Sequence, residues 1–254
     1  MGDIPESHPR RDSLLSRQKL VNAASEGMLA DSALIAHGRG EAFDYLLGER
    51  TCDSAKLAII ETAHRLKISK NCVISVNGNT VALAGPQLIA CAAVLNCPIE
   101  VNIYYRTPKR MEILLSTLVD QKKTASKLYP QIEEKIAMVK ILGGKPDGRI
   151  PNLEGPRAQC HSDGILSADT ILVPLEDGDR CEALIAMGKT VCVIDLNPLS
   201  RTAQTATVTI VDELTRCVPI LLELLRGQFD EPLNWNNKDN LENVIQEILG
   251  NFNH

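Results

Sequence analysis

Short apolar runs rich in β-branched residues alternate along this chain with longer stretches of helical character. Residues 73–76, 99–104, 138–142, 171–175, 191–196 and 208–211 read as strands, and residues 86–95, 108–119, 179–187 and 213–226 read as helices between them. Strands alternating with helices predict a mainly parallel sheet with right-handed crossovers. The first part of the chain is different. After an extended arm to about Pro9, Asp12 or Ser13 opens a helix through Leu14, Leu15, Leu20 and Val21, and a second helical stretch includes Met28 and Leu29. Asp53-Ser54-Ala55 then opens a helix to about Leu66. Residues 144–169, rich in Gly, Pro and charge, read as a long functional loop or surface excursion, and residues 120–135 as a tolerant surface helix or loop. A polar, Asn-rich link over 228–240 leads to a terminal helix at 240–249. The expected fold is α/β and Rossmann-like, with a mainly parallel sheet and helices on both faces. A helical segment over 1–70 precedes a core over 71–226 and a polar tail over 227–254.

Composition narrows the function. A chain of 254 residues can bury a substantial core, and its net charge of -5 argues against nucleic acid as a general partner. The eight cysteines include no CxxC pair, and Cys160-His161 is not metal-ligand spacing, so zinc is not expected. Several of the cysteines sit in apolar segments, where a free thiol packs as a small hydrophobe, and this suggests a reducing cytosol. The N-terminus is polar and no apolar run approaches ~18 residues, so neither a signal peptide nor a membrane span is expected.

The candidate chemistry lies where strands end. Two apolar runs break into polar turns, Glu176-Asp177-Gly178-Asp179-Arg180 and Asp195-Leu196-Asn197-Pro198-Leu199-Ser200-Arg201. In a parallel sheet such turns lie side by side at the carboxyl ends of the strands, where open α/β folds bind ligands. Glu176, Asp177 and Asp179 repel one another unless a cation or hydrogen-bond donors offset them, and Asp carboxylates here could hold magnesium. Asp179 could instead cap the following helix. Asp195 suits a ribose hydroxyl or a metal-bound water, Asn197 an adenine edge, and Pro198 fixes the backbone; Ser200 could serve as a helix cap. In His37-Gly38-Arg39-Gly40-Glu41, glycines flank an arginine, so that backbone and guanidinium could both approach an anion; a loop with a surface arginine is the alternative. Asn77-Gly78-Asn79 ends a strand and is either an anion-binding turn or a plain one. Arg106 ends another strand. Neither a GxGxxG fingerprint nor a Walker loop is present, because Ala183 stands where the first glycine of the latter is required.

Taken together, Ile4-Pro5-Glu6-Ser7-His8-Pro9-Arg10, Arg17, the segment from Ala33 to Leu46, Ile74-Ser75-Val76-Asn77-Gly78-Asn79 and the two polar turns resemble the archaeal phosphopantothenate synthetase (4-phosphopantoate–β-alanine ligase) family. The resemblance runs from about residue 4 to about residue 226. It implies a cytoplasmic homodimer in coenzyme A biosynthesis that joins 4-phosphopantoate to β-alanine and splits ATP to AMP and pyrophosphate, through an acyl-adenylate. It further implies that Arg17 and Arg39 meet the ATP phosphates. Asp177, Gly178, Asp179, Arg180 and Glu182, with Asp195, Leu196, Asn197 and Pro198, would hold the nucleotide, and Asp177 and Asp179 would hold magnesium. Asn77, Gly78, Asn79 and Arg106 would form the phosphopantoate pocket, and His37 would orient the site or contact phosphate. Rival readings of the same residues are a nicotinamide-dependent reductase, a nucleotide sensor without catalysis and a pantoate kinase.

Overall fold

The computed structural model describes residues 4–227 and 233–251. Its longer strands form where β-branched runs can be buried on both sides. The strands are β1 (Cys72–Val76), β2 (Ile99–Val101), β3 (Ile141–Leu142), β4 (Gly148–Arg149), β5 (Gln159–Cys160), β6 (Thr170–Pro174), β7 (Thr190–Ile194) and β8 (Val208–Ile210). The short β4 and β5 pair with each other, and the other six strands form one sheet in the order β3-β2-β1-β6-β7-β8. Every neighbouring pair in that sheet is parallel. The chain winds outward from β1 toward β3, returns to β6 and then winds the other way. The switch point of this Rossmann-like sheet therefore lies between β1 and β6, and a crevice is expected there at the strand carboxyl ends.

Alternate residues of the central strands β1, β6 and β7 feed two cores. Ile74, Val76, Leu172, Cys192 and Ile194 pack with α3 (Asp53–Ile68), α4 (Gly78–Leu95), α5 (Pro108–Leu128) and α9 (Leu214–Arg226). Val73, Ile171, Val173, Val191 and Val193 pack on the opposite face with Cys181 and Leu184 of α7 (Gly178–Ala186). Burial on both faces is why these strands read as unbroken apolar runs.

Ile150, Cys160 and Ile165 also fill that second core. The stretch read as a surface excursion thus covers one face of the sheet, where a crossover helix would otherwise lie. Glu100 of β2 anchors it, accepting the backbone N–H of His161 at 2.8 Å and of Ile165 at 2.8 Å. Burial pushes the Glu100 carboxyl upward, opposed by those two N–H donors and by nearby Arg180.

The remaining helices are α1 (Arg11–Ser25), α2 (Asp31–Leu46), α6 (Glu133–Met138), α8 (Arg201–Thr205) and α10 (Asn237–Gly250). Met28 and Leu29 are not helical; they are buried in the turn between α1 and α2. The His37–Glu41 segment is not a loop but the middle of α2, because Ala33, Leu34, Ala36, Ala42 and Leu46 carry the helix past its glycines. Helix α5 continues to Leu128, through part of the tract read as tolerant surface. Helix α10 packs Leu241, Val244 and Ile248 against Leu47, Cys52, Ala55 and Val211. Of the polar link before it, residues 228–232 lie outside the described residues.

Helix α4 begins at Gly78 rather than near Pro86, because the Asn77 side chain caps it by accepting Thr80 N–H at 3.1 Å. Its Gly78–Leu95 segment is 18 residues long and apolar enough to cross a membrane, which corrects the expectation that no apolar run approaches this length. Within this molecule 72% of that segment is buried, as a core helix is. Gly85 and Pro86 sit at a break in its geometry, with Ala84 at φ -141°.

Candidate functional site

At the switch point a cleft of about 940 Å³ opens between the strand ends and α2. The turns after β1, β6 and β7 meet there, and the segment after β2 closes one end. Asn77 bridges the switch point. Its Oδ1 caps α4, and its Nδ2 donates to the Leu175 carbonyl at 2.8 Å. Leu175 itself sits at φ +56°, a left-handed conformation uncommon for a non-glycine residue. Such strain persists only where surrounding contacts enforce it, and the Asn77 bond is one of them. Gly78 is required by space: a Cβ there would lie 2.8 Å from the Met28 carbonyl oxygen. Asn79 donates to the Ala33 carbonyl at 3.3 Å, so α4 and α2 are tied across the cleft floor. All three lie along the cleft, and the two asparagines hold its walls together.

The acidic turn after β6 carries its own counter-charges. Glu176 is clamped between Arg157, at 2.6 Å, and Arg180. Arg180 also donates to Ser75 Oγ at 3.0 Å and is only 1% exposed. It lies beneath the turn instead of lining the cleft, which corrects its expected contact with the nucleotide. Asp177 pairs with Arg157 at 2.6 Å, and Asp179 pairs with Arg201, whose Nε also reaches Glu182 at 3.2 Å. The repulsion that suggested a magnesium ion is therefore relieved by guanidinium groups. Among the described residues no cluster of three or more His, Cys, Asp or Glu could cage a metal. Asp177 and Asp179 keep exposed carboxylates, suited at most to an ion that arrives with phosphate oxygens of its own. Glu182 faces away from the cleft.

The turn after β7 is held from within. Asp195 accepts Asn197 N–H at 2.9 Å and the Ser200 hydroxyl at 2.5 Å, and Asn197 Oδ1 accepts Leu199 N–H at 2.9 Å. Ser200 Oγ in turn caps α8 through Ala203 N–H at 2.9 Å, so the capping and ligand readings of this turn coexist. Burial raises the Asp195 carboxyl above its ordinary value, and its two donors pull it back. Pro198 is buried within the turn. Leu196 meets α2 at Gly40, where a Cβ would lie 2.9 Å from Leu196 Cβ. Gly40 therefore serves close helix-to-turn packing; amides inside a helix are already engaged and do not cradle an anion. Gly38 faces open space.

Helix α2 presents His37 and Arg39 to the cleft. His37 is 7% exposed, and neither ring nitrogen has a hydrogen-bond partner. Burial holds its pKa below the ordinary value, so the neutral ring dominates at neutral pH. Arg39 is exposed and makes no ion pair among the described residues. Arg17 is not in the cleft lining; it pairs with Glu41 at 2.8 Å, one turn along α2 from His37. Arg106 also lies off the cleft, with its guanidinium turned to the Gly143 carbonyl. Cys181 is buried, and burial pushes its thiol up to about 12, so it is poorly disposed to oxidation.

The cleft also exposes residues that the sequence reading missed. Arg157, between the hairpin strands β4 and β5, could have been sought as the cation that the acids of the β6 turn demand. Tyr104, Tyr105 and Arg110 close the far end. The two rings stand edge to face, 5.0 Å apart.

Residues 54–251 match the family model described as phosphopantothenate/pantothenate synthetase. A protein of Thermococcus kodakarensis named 4-phosphopantoate–β-alanine ligase is 46% identical over 230 residues, covering 91% of this chain and 83% of that protein. A protein of the same name from Methanosarcina mazei is 41% identical, covering 98% of this chain and 95% of its own. One from Methanospirillum hungatei is 46% identical, over 85% of this chain and 82% of its own. The family match spans the whole sheet and the relatives cover most of the chain, and on that footing the chain belongs to the phosphopantothenate/pantothenate synthetase family of ligases.

Proposed function

We propose that this enzyme condenses 4-phosphopantoate with β-alanine at the expense of ATP, giving 4'-phosphopantothenate, AMP and pyrophosphate. The relatives' shared name supports the substrates. The observation that carries the reading is the division of one cleft into an acid-lined nucleotide end, beside β6 and β7, and an acid-free end beside β2. A carboxylate resists attack by an amine because its resonance would be lost, so it must first be activated. A carboxylate oxygen of the acid attacks the α-phosphorus of ATP and pyrophosphate leaves. The amine of β-alanine then attacks the acyl carbon, loses a proton, and AMP leaves. The substrate supplies the nucleophile of each step.

The protein's part is to bring anions together and hold them. Arg39, free of carboxylates, is suited to the triphosphate, and Arg17 would join it there on exchanging Glu41 for phosphate oxygens. Asp195 and Asn197 suit the ribose and adenine, and the Asp177–Asp179 turn lies beside them. Magnesium would come in with ATP, and Asp177 or Asp179 would exchange an arginine for it. Neutral His37, without a partner, can accept or donate one hydrogen bond to a bound group. Positioning two reactants in this way supplies up to ~7–11 kcal/mol in favourable cases. The enzyme would work in the cytoplasm as a homodimer, as the resemblance implies.

Chromatography of the nucleotide products tests this reading. With ATP, 4-phosphopantoate and β-alanine present, AMP is expected in proportion to the amide formed. Release of ADP would replace the adenylate route with an acyl-phosphate one.

A further inference from the structure

The two cleft guanidinium groups without a carboxylate partner among the described residues, Arg39 and Arg110, sit on opposite sides of the switch point. Arg39 projects from α2, which meets the β7 turn through Gly40 and Leu196. Arg110 lies in the first turn of α5, beside the segment that follows β2. Its side chain is fixed without using up its donors. Nη1 donates to the Tyr105 carbonyl at 2.8 Å, and Nε and Nη2 reach the Gly27 and Leu29 carbonyls at 3.4 and 3.5 Å. Each terminal nitrogen keeps another N–H, and together these can take two oxygens of one phosphate. The walls around it are Met28, Leu29, Ile103, Tyr104 and Tyr105, and none is acidic. A phosphate dianion would meet Asp177, Asp179 and Asp195 at the other end of the cleft.

We infer that Arg110 binds the phosphate of the phosphorylated acid and sets the preference for that acid over its unphosphorylated form. This rests on the ligase reading above and replaces Arg106, which turns to Gly143. From β2 to β7 the sheet spans about 14 Å, at roughly 4.8 Å per strand spacing. That separation leaves the acid's carboxylate near β1 and β6, facing the nucleotide. The carbonyl clamp makes Arg110 a preorganised anchor, since its guanidinium is already oriented before the anion arrives.

The test compares kcat/KM for 4-phosphopantoate and for pantoate, using ATP and β-alanine with the whole enzyme, in wild type, Arg110→Gln and Arg110→Lys. Lost hydrogen bonds to a charged group should cut the preference for the phosphorylated acid by about 10- to 100-fold in Arg110→Gln, mostly through KM. Arg110→Lys should keep part of the preference, since it retains the charge without the fork. If both acids lose activity in parallel, Arg110 only braces the turn between α1 and α2, and the inference is overturned. If Arg110→Gln does not fold, the lysine variant decides: an unchanged preference there, with an unchanged KM for 4-phosphopantoate, overturns it. Failure of the wild-type enzyme to form amide from either acid would overturn the ligase reading, and this inference with it.

Discussion

Two glycines two positions apart in α2, Gly38 and Gly40, give opposite predictions for the same substitution. Both lie in the helix interior, where alanine is favoured over glycine by ~0.8–1.0 kcal/mol. At Gly38 an added Cβ meets nothing within 4 Å. Gly38→Ala should therefore gain nearly the whole of that amount and raise Tm by about 2–4 °C for a chain of this size. At Gly40 the same Cβ would lie 2.9 Å from Leu196 Cβ and 3.1 Å from its Cδ1. Carbon atoms prefer a separation of about 3.5–4.0 Å, and Leu196 Cβ is fixed by its backbone. Overpacking of this kind costs ~1–3 kcal/mol, so the net effect of Gly40→Ala is a loss of up to ~2 kcal/mol. The displaced element is the turn carrying Asp195 and Asn197, so KM for ATP should rise as stability falls. Thermal unfolding of both variants, with ATP saturation curves, checks this. If Gly40→Ala is stabilised as much as Gly38→Ala, α2 does not rest on Leu196 and the placement of the nucleotide end is wrong.

Arg39→Ala should abolish ATP turnover at an unchanged Tm, because Arg39 is exposed and unpaired; normal turnover with an unchanged KM for ATP would remove it from the site. Arg180→Met should destabilise by ~3 kcal/mol in denaturant titrations, since it uncovers one side of a buried carboxylate; Arg157 still holds Glu176, and a neutral outcome would show that one arginine suffices. His37 gives a signature in pH. Burial lowers its pKa, so on acidification the unfolded chain protonates near 6.5 before the folded one does. Its contribution is present above that value and is lost as pH falls, by at most ~1.4 kcal/mol per pH unit. His37→Gln should flatten this slope below pH 6.5, and equal slopes in both proteins would show the ring to be solvated.

Much of the fold is legible because the signal is local. The β-branched runs ending at Val76, Pro174 and Ile194 announce strands buried on both faces, and Asn77 announces a turn that proves also to be a helix cap. What the sequence misplaces depends on distant partners. The glycines around Arg39 suggest a loop, yet α2 holds because its alanines and leucines favour the helix and Gly40 fits Leu196. The acids after β6 do require cations, as their spacing implies. The cations are Arg157, Arg180 and Arg201, and no local pattern says which arginine reaches which acid. Arg106 and Arg110 are four residues apart, and only the tertiary structure turns one to Gly143 and the other toward the cleft.

The most direct test of the account is a crystal structure with a non-hydrolysable ATP analogue. Adenine and ribose are expected on the turn from Asp195 to Asn197, and the triphosphate against Arg39, pointing toward the Asn77 cap. Nucleotide density in the separate cavity of about 290 Å³ at the opposite end of the sheet, lined by Lys67, Lys70 and Asn71, would contradict it.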